Sequence, residues 1–307
     1  MAENTIPAKE RRKAWAWFAV KVVVSVGLLA ILLAQVSLGD AFDALSGLSW
    51  PSFSAALAIV IVAHAVNARR LCVFLPGISF GPALRFTFIG TFYSTVLPSQ
   101  LVGDAIKAVR LARAHDNAGR AIAAVVRDKI MGLIALIVLS LAAVPLSMMP
   151  GQGKIAAALL AALAATAFLW WALDRLPQGG RWAHVAKYLP RAADTGLSAR
   201  QLAENFVWGL VLQALVVAIF AVVGIDLGLD IKAGAWIVII GLVSLILLLP
   251  VTVAGVGLRD GSLIGFMGSL GQDPAATLAL SLVILILSLM GAAIGFALDV
   301  TSRDRVA

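Results

Sequence analysis

Two apolar segments of this chain share an interruption that an ordinary membrane-spanning helix does not contain. Residues 97–104 read LPSQLVGD, and residues 249–260 read LPVTVAGVGLRD. Because proline lacks an amide donor and glycine loosens the backbone, each segment predicts a break in a helix. Non-helical backbone inside a bilayer is stable only where protein or a hydrated cavity satisfies it, and two such breaks point to a transport-type binding site. The predicted break residues are Pro98, Gly103, Pro250, Gly255 and Gly257.

The composition places these breaks in a membrane. Of the 307 residues, 61% are hydrophobic and 13% are charged, whereas a soluble domain is about half apolar and a quarter charged. Stretches of about 17–25 apolar residues span a bilayer. Such stretches predict six spanning helices, at about 17–36, 52–69, 130–149, 154–173, 206–224 and 275–298.

The distribution of charge orients these helices. The net charge is +8, and the basic residues concentrate at the N-terminus, in alternate loops and in the tail. This asymmetry predicts that both termini are cytoplasmic, and it favours the positive-inside rule over nucleic-acid binding. Residues 17–36 form too long an apolar run for the core of a signal peptide, so we expect a retained first helix.

With both termini in the cytoplasm, the two interrupted segments should enter the membrane from opposite sides. Residues 82–104 should enter and leave on the cytoplasmic side, and residues 235–273 on the opposite side. We therefore predict two opposed re-entrant helical hairpins and an inverted repeat within an all-α polytopic membrane protein. In the alternative, residues 235–250 and 257–272 are two complete spans.

The predicted halves form a single integral membrane domain. Residues 1–173 make up the first half and residues 206–307 the second. A cytoplasmic linker is expected over residues 174–205, which contain two prolines and a Gly-Gly pair.

Ionisable residues beside the breaks are the candidate binding groups. Arg259 and Asp260 follow Gly255 and Gly257 in the second segment, and Asp104 follows Gly103 in the first. A charge in hydrocarbon costs about 2.5–3.5 kcal/mol unless it is paired or hydrated, and arginine binds phosphate or carboxylate bidentately. Asp104 either caps backbone amides or pairs with Arg259 across the hairpins. The alternative to a ligand-binding role is a buried ion pair that only fixes the hairpins.

A basic stretch follows the first break. Lys107 and Arg110 lie three residues apart in residues 104–129, which predict one amphipathic helix or two short ones. Such a helix lies in the headgroup layer or forms a cationic rim that collects anionic headgroups. At the end of this stretch, Arg127, Asp128 and Lys129 are interpreted as a surface ion cluster.

The sequence lacks nucleotide-binding and metalloprotease signatures. It contains no P-loop and no H-E-x-x-H pattern. One cysteine and three separated histidines give no metal-ligand spacing. We therefore predict a protein that is not an enzyme and that uses neither a cofactor nor a metal.

The two interrupted segments resemble those of the transmembrane, flippase-like domain of lysylphosphatidylglycerol synthases, a domain also found in stand-alone membrane proteins. The second segment is similar to the family pattern P-x-S-x-G-G-x-G-x-R-E, with Thr252, Ala254 and Asp260 in place of Ser, the first Gly and Glu. The resemblance covers about residues 15–300. It implies an all-α bundle with re-entrant helices around a lipid-accessible cavity, and movement of a polar-headed lipid between leaflets.

These observations together predict transbilayer transport of an anionic or polar-headed lipid, either a phospholipid or a polyprenyl-phosphate-linked lipid, in a bacterial inner membrane. Lys107 and Arg110 would attract the lipid, and its phosphate would reach Arg259. Asp104 and Asp260 would hold the bases or exchange a proton.

Two other functions remain open, a membrane-embedded transferase and a non-transporting partner of a lipid-modifying enzyme. The second would need well-packed hairpins without a cavity. The expected partners are a membrane lipid and a lipid-modifying enzyme or glycosyltransferase, and the sequence is compatible with a homo-oligomer.

Overall fold

The computed structural model describes residues 38–97, 100–114, 117–175, 197–249 and 257–303, and these residues form helices and turns without strands. The predicted first span and the break residues Pro98, Pro250 and Gly255 lie outside the described residues. The described helices are α1 (Leu38–Ser46), α2 (Trp50–Phe74), α3 (Phe80–Val96), α4 (Gln100–Ala114), α5 (Ala118–Ser147), α6 (Gln152–Asp174), α7 (Ala199–Asp226), α8 (Ala233–Ile246), α9 (Leu258–Gly268) and α10 (Pro274–Arg303).

Five described helices are long and apolar enough to cross a membrane, namely α2, α5, α6, α7 and α10. The expectation of an all-helical protein with several membrane-spanning helices is thereby confirmed. The five helices coincide with the five predicted stretches that fall among the described residues, and each begins earlier than predicted.

Polar caps explain the early starts of α5 and α7. The side chain of Asn117 accepts a hydrogen bond from the Arg120 amide (3.0 Å), so the basic stretch divides into α4 and the first turns of α5. Ser198 and Gln201 form a reciprocal capping box, and α7 therefore begins inside the predicted linker.

Besides the nine-residue α1, four of the described helices are shorter than a bilayer, and they form two consecutive pairs. We call α3 and α4 the first helix pair, and α8 and α9 the second helix pair. The two arms of each pair pack against each other. With 14 and 11 residues, α8 and α9 measure about 21 and 17 Å, whereas the hydrocarbon layer is about 30 Å thick.

Glycines shape both pairs in different ways. Gly103 lies inside α4 and not at the break, and a Cβ there would collide with Ser94 and the Gly90 carbonyl of α3. It therefore allows the two arms to approach closely. Gly257 stands before α9 with φ of 82°, a left-handed conformation that glycine adopts without steric cost.

The packing of the helices has a two-fold pattern. Helix α2 packs against α7, α3 against α10, and α8 against α5. Exchanging α2 with α7, α3 with α8, α4 with α9 and α5 with α10 maps these contacts onto each other.

The central helices α2 and α7 run antiparallel. The Ser49 amide at the start of α2 donates to Asp226 at the end of α7 (2.6 Å), and Arg69 pairs with Glu204 (2.8 Å) at the other end.

Candidate functional site

A cavity of about 420 Å³ is lined by both helix pairs and by α2, α5, α7 and α10. Its volume falls within the usual range of ligand pockets, about 300–1,000 Å³. Its lining combines apolar side chains with hydroxyl, amide, imidazole and charged groups. The polar lining residues are His64, Asn67, Thr87, Thr91, Ser94, Thr95, Asp104, Lys107, Lys129, Ser244, Arg259 and Ser288.

Three charged side chains form a cluster on the first helix pair and α5, which we call the lysine cluster: Asp104, Lys107 and Lys129. One carboxylate oxygen of Asp104 lies 3.4 Å from Lys107 Nζ, and the other lies 3.0 Å from Lys129 Nζ. The Lys107 side chain is 7% exposed, whereas that of Lys129 is 35% exposed. Two ammonium groups share one carboxylate, so the cluster carries one excess positive charge into the cavity.

The charges on the second helix pair form a closed arrangement. Arg259 is buried, and its Nε and Nη2 atoms each lie 3.2 Å from Asp260 Oδ1. The same two nitrogens donate to the side chain and the carbonyl of Ser281 on α10, both at 3.1 Å. Asp260 also accepts from the Ser281 hydroxyl and from the Gly257 amide (2.8 Å). This arrangement fixes the start of α9 to α10 and carries no net charge.

The structure brings some of the predicted site residues together and separates others. Asp104, Lys107 and Arg259 line one cavity, but Asp104 pairs with the two lysines and not with Arg259. Asp260 reaches the cavity only through Arg259. Arg110 is not among the lining residues, because it pairs with Asp299 of α10 and lies over the Tyr93 ring.

The interpretation of residues 127–129 as a surface ion cluster is wrong, because Arg127 and Asp128 are buried. Successive residues on a helix point about 100° apart, so the three side chains have different partners. Arg127 pairs with Asp174 (3.0 Å) of α6, and Lys129 joins the lysine cluster. Sequence reasoning missed Lys129 as a site residue for this reason.

Asp128 belongs to a buried group that joins three helices next to the cavity. Arg70 of α2 donates to the Asp128 carboxylate (3.0 Å) and to its carbonyl (2.8 Å). Asn205 of α7 donates to the Arg70 carbonyl and to Asp128, both at 3.0 Å. The paired charges and satisfied amide make this a structural connection between α2, α5 and α7.

The fold and the cavity define a polytopic, all-helical membrane protein with a charged pocket within the bundle. The family model described as the lysylphosphatidylglycerol synthase TM region matches residues 18–295. The chain therefore belongs to this family, as its two interrupted segments predict. A comparison with curated proteins finds no significant match.

Proposed function

We propose that this protein moves a lipid with an anionic or polar head, either a phospholipid or a polyprenyl-phosphate-linked lipid, across a bacterial inner membrane. The observation that carries the proposal is the charged cavity between the two helix pairs. Buried charge within a membrane bundle is expensive, so such residues commonly mark a substrate path. The family match supports a lipid-related role.

In the proposed arrangement the two helix pairs are opposed re-entrant hairpins of an inverted repeat. The arms α8 and α9 are too short to span the bilayer singly, and the contacts of the two halves exchange in a two-fold manner. The antiparallel pairing of α2 with α7 is what an inverted repeat requires. Both termini then lie in the cytoplasm, and rocking of one repeat against the other exposes the cavity to each leaflet in turn.

The charged residues have distinct roles in this mechanism. Lys107, with Asp104 as its partner, attracts the anionic head into the cavity. Arg259 offers its remaining nitrogen, Nη1, to a phosphate oxygen, since no partner for Nη1 exists among the described residues; Asp260 holds the guanidinium in place. Arg110 fixes α4 to α10 through Asp299 and does not contact the lipid.

The cavity also bears on the alternative of a non-transporting partner protein. A scaffold for a lipid-modifying enzyme needs only packed hairpins, whereas transport needs a hydrated space that accepts a headgroup. The 420 Å³ cavity therefore favours transport. The chemistry proposed is binding and movement without bond breaking, so the protein is not expected to be an enzyme.

Reconstitution into liposomes tests the proposal. The full chain is incorporated with a fluorescent phosphatidylglycerol analogue in one leaflet, and a membrane-impermeant quencher reports its movement. We expect the wild-type protein to accelerate movement and Arg259→Ala to reduce the rate by about tenfold or more, as for one lost charge-assisted hydrogen bond. An unaltered rate in the variant would remove Arg259 from the mechanism.

Two further variants separate the role of Arg259 from its effect on folding. The double variant Arg259→Gln with Asp260→Asn removes both charges together and leaves no unpaired buried ion. Arg113→Gln removes an exposed arginine of α4 outside the cavity and serves as the matched control. Wild-type protein that moves the analogue no faster than empty liposomes would contradict the proposed transport.

A further inference from the structure

An apolar groove of about 600 Å³ opens beside the lysine cluster. It lies between α4, α5 and α6, and its lining is almost entirely aliphatic. Val109 on α4, Leu133 on α5 and Leu169 on α6 are among the lining residues, and Val109 and Leu169 are about half exposed. A groove of this composition accommodates a hydrocarbon chain and offers it no hydrogen bonds.

The groove and the polar cavity meet at two residues. Asp104 and Lys129 line both spaces, and among the described residues they are the only charged ones in the groove lining. The molecule therefore has a polar cavity and an apolar groove, and these two spaces share two charged residues. This order of surfaces matches that of an amphiphile, with the head on one side of the junction and the chain on the other.

The charge at the junction selects the kind of head. Lys107 and Lys129 share the single carboxylate of Asp104, which leaves one positive charge. Arg259 is neutralised by Asp260. A monoanionic phosphodiester balances this excess, whereas a cationic head would meet the ammonium groups of the lysine cluster and be repelled.

We propose that the lysine cluster and the groove form one lipid-binding site, in which Lys129 binds the phosphate of a monoanionic phospholipid and one acyl chain lies between α4, α5 and α6. This inference deepens the proposed function by naming the substrate class and its orientation. Lys129 is the more exposed of the two lysines, so it meets the incoming head first. Lys107 then receives the phosphate deeper in the cavity.

A binding measurement tests the site without requiring transport. The full chain in non-ionic detergent is titrated with dioleoylphosphatidylglycerol, dioleoylphosphatidylcholine or free glycerol phosphate, and the thermal unfolding midpoint is recorded. A ligand that binds the folded state raises this midpoint. We expect phosphatidylglycerol to bind about tenfold or more tightly than phosphatidylcholine, and glycerol phosphate to bind more weakly than either lipid.

Substitutions at Lys129 test the head position. Lys129→Gln should weaken phosphatidylglycerol binding by about tenfold, whereas Lys129→Arg keeps the charge and should bind within about twofold of wild type. Lys154→Gln alters an exposed lysine at the start of α6, outside both spaces, and should change nothing. Equal binding by Lys129→Gln and wild type would overturn the assignment.

Two leucines of α6 test the position of the acyl chain. Leu169 lines the groove, and Leu160, also on α6 and similarly exposed, does not. Leu169→Trp should weaken phosphatidylglycerol binding by about tenfold, while Leu160→Trp should bind as wild type does. Equal effects of the two substitutions would contradict a specific chain site.

A photocrosslink identifies the occupant of the groove in the unaltered fold. A benzophenone amino acid at Leu169 should crosslink to phosphatidylglycerol, and a crosslink to residues 17–36 of the same chain would overturn the proposal. If binding is confirmed but liposomes show no transport, the lipid site stands and the proposed function fails. If transport occurs without selective binding, the proposed function stands and this site fails.

Discussion

The two helix pairs contain similar sequence motifs, but their charged residues are paired in different ways. In the first pair, Asp104 lies between two lysines from different helices, and one of them is partly exposed. In the second pair, Asp260 and Arg259 are adjacent, buried and closed by Ser281. The first arrangement leaves one positive charge facing a cavity, and the second leaves none. In the proposed mechanism, we therefore expect the first pair to provide most of the attraction for the anionic head, and the second pair to hold the fold and to offer one nitrogen of Arg259 to the phosphate.

The largest predicted effect comes from removing the carboxylate of the second pair. Asp260→Asn leaves the Arg259 guanidinium buried without its counter-ion, so we expect a loss of about 3–5 kcal/mol in the free energy of unfolding. Asp104→Asn should cost much less, because Lys129 remains partly solvated. Thermal unfolding of the purified proteins in detergent measures both, and equal losses would remove the distinction between the pairs.

The second prediction concerns the packing of α4 and α9, the second helix of each pair. Gly103→Ala introduces a Cβ that collides with Ser94 and Gly90, and overpacking of this kind costs about 1–3 kcal/mol. Gly265 of α9 is exposed and has no neighbouring atom within 4 Å of a Cβ. Gly265→Ala should therefore be neutral or stabilising by up to about 1 kcal/mol. The same unfolding measurement compares the two, and a stable Gly103→Ala variant would show that the first pair is not closely packed.

The third prediction is a gain of affinity in the first pair. Asp104→Asn raises the charge of the lysine cluster from one to two, so phosphatidylglycerol should bind about three- to tenfold more tightly, with phosphatidylcholine unchanged. Titration followed by thermal unfolding measures this change. Weaker binding in the variant would indicate that the carboxylate itself contacts the ligand, as it would for a cationic head.

The smallest predicted effect on transport belongs to Arg110. Because its guanidinium pairs with Asp299 outside the cavity, Arg110→Gln should lower the transport rate by no more than about twofold, although it takes the arginine partner from the buried Asp299 carboxylate and so destabilises the contact between α4 and α10. The liposome assay measures the rate. A loss as large as that expected for Arg259→Ala would restore Arg110 as a lipid contact.

Much of the fold follows from local features of the sequence. The lengths of the apolar stretches predict the spanning helices. The Ser198–Gln201 capping box marks the start of α7, although these residues lie in the polar stretch that was predicted to be a linker. Arg259 and Asp260 belong to one sequence motif, and they meet at the start of α9 because both side chains also bind Ser281 of α10. Gly257 has a φ of 82°, which glycine adopts more readily than other residues do.

The lysine cluster is different, because tertiary packing creates it. Asp104 on α4 meets Lys129 on α5, and nothing local to either residue indicates the other. Asp128 and Lys129 are neighbours in sequence but face different helices, so a run of charges was misread as a surface cluster. The apolar groove likewise depends on how α4, α5 and α6 pack, because residues of all three helices line it.

The relative rate of lipid movement in liposomes is the most direct test of the central claim, that a cavity between two helix pairs carries an anionic head across the bilayer. Fluorescent phosphatidylglycerol and phosphatidylcholine analogues are compared in wild type and in the double variant Lys107→Gln with Lys129→Gln. We expect wild type to move phosphatidylglycerol about tenfold faster than phosphatidylcholine, and the double variant to lose this preference. An unchanged preference in the double variant, or equal rates for both lipids in wild type, would contradict the account.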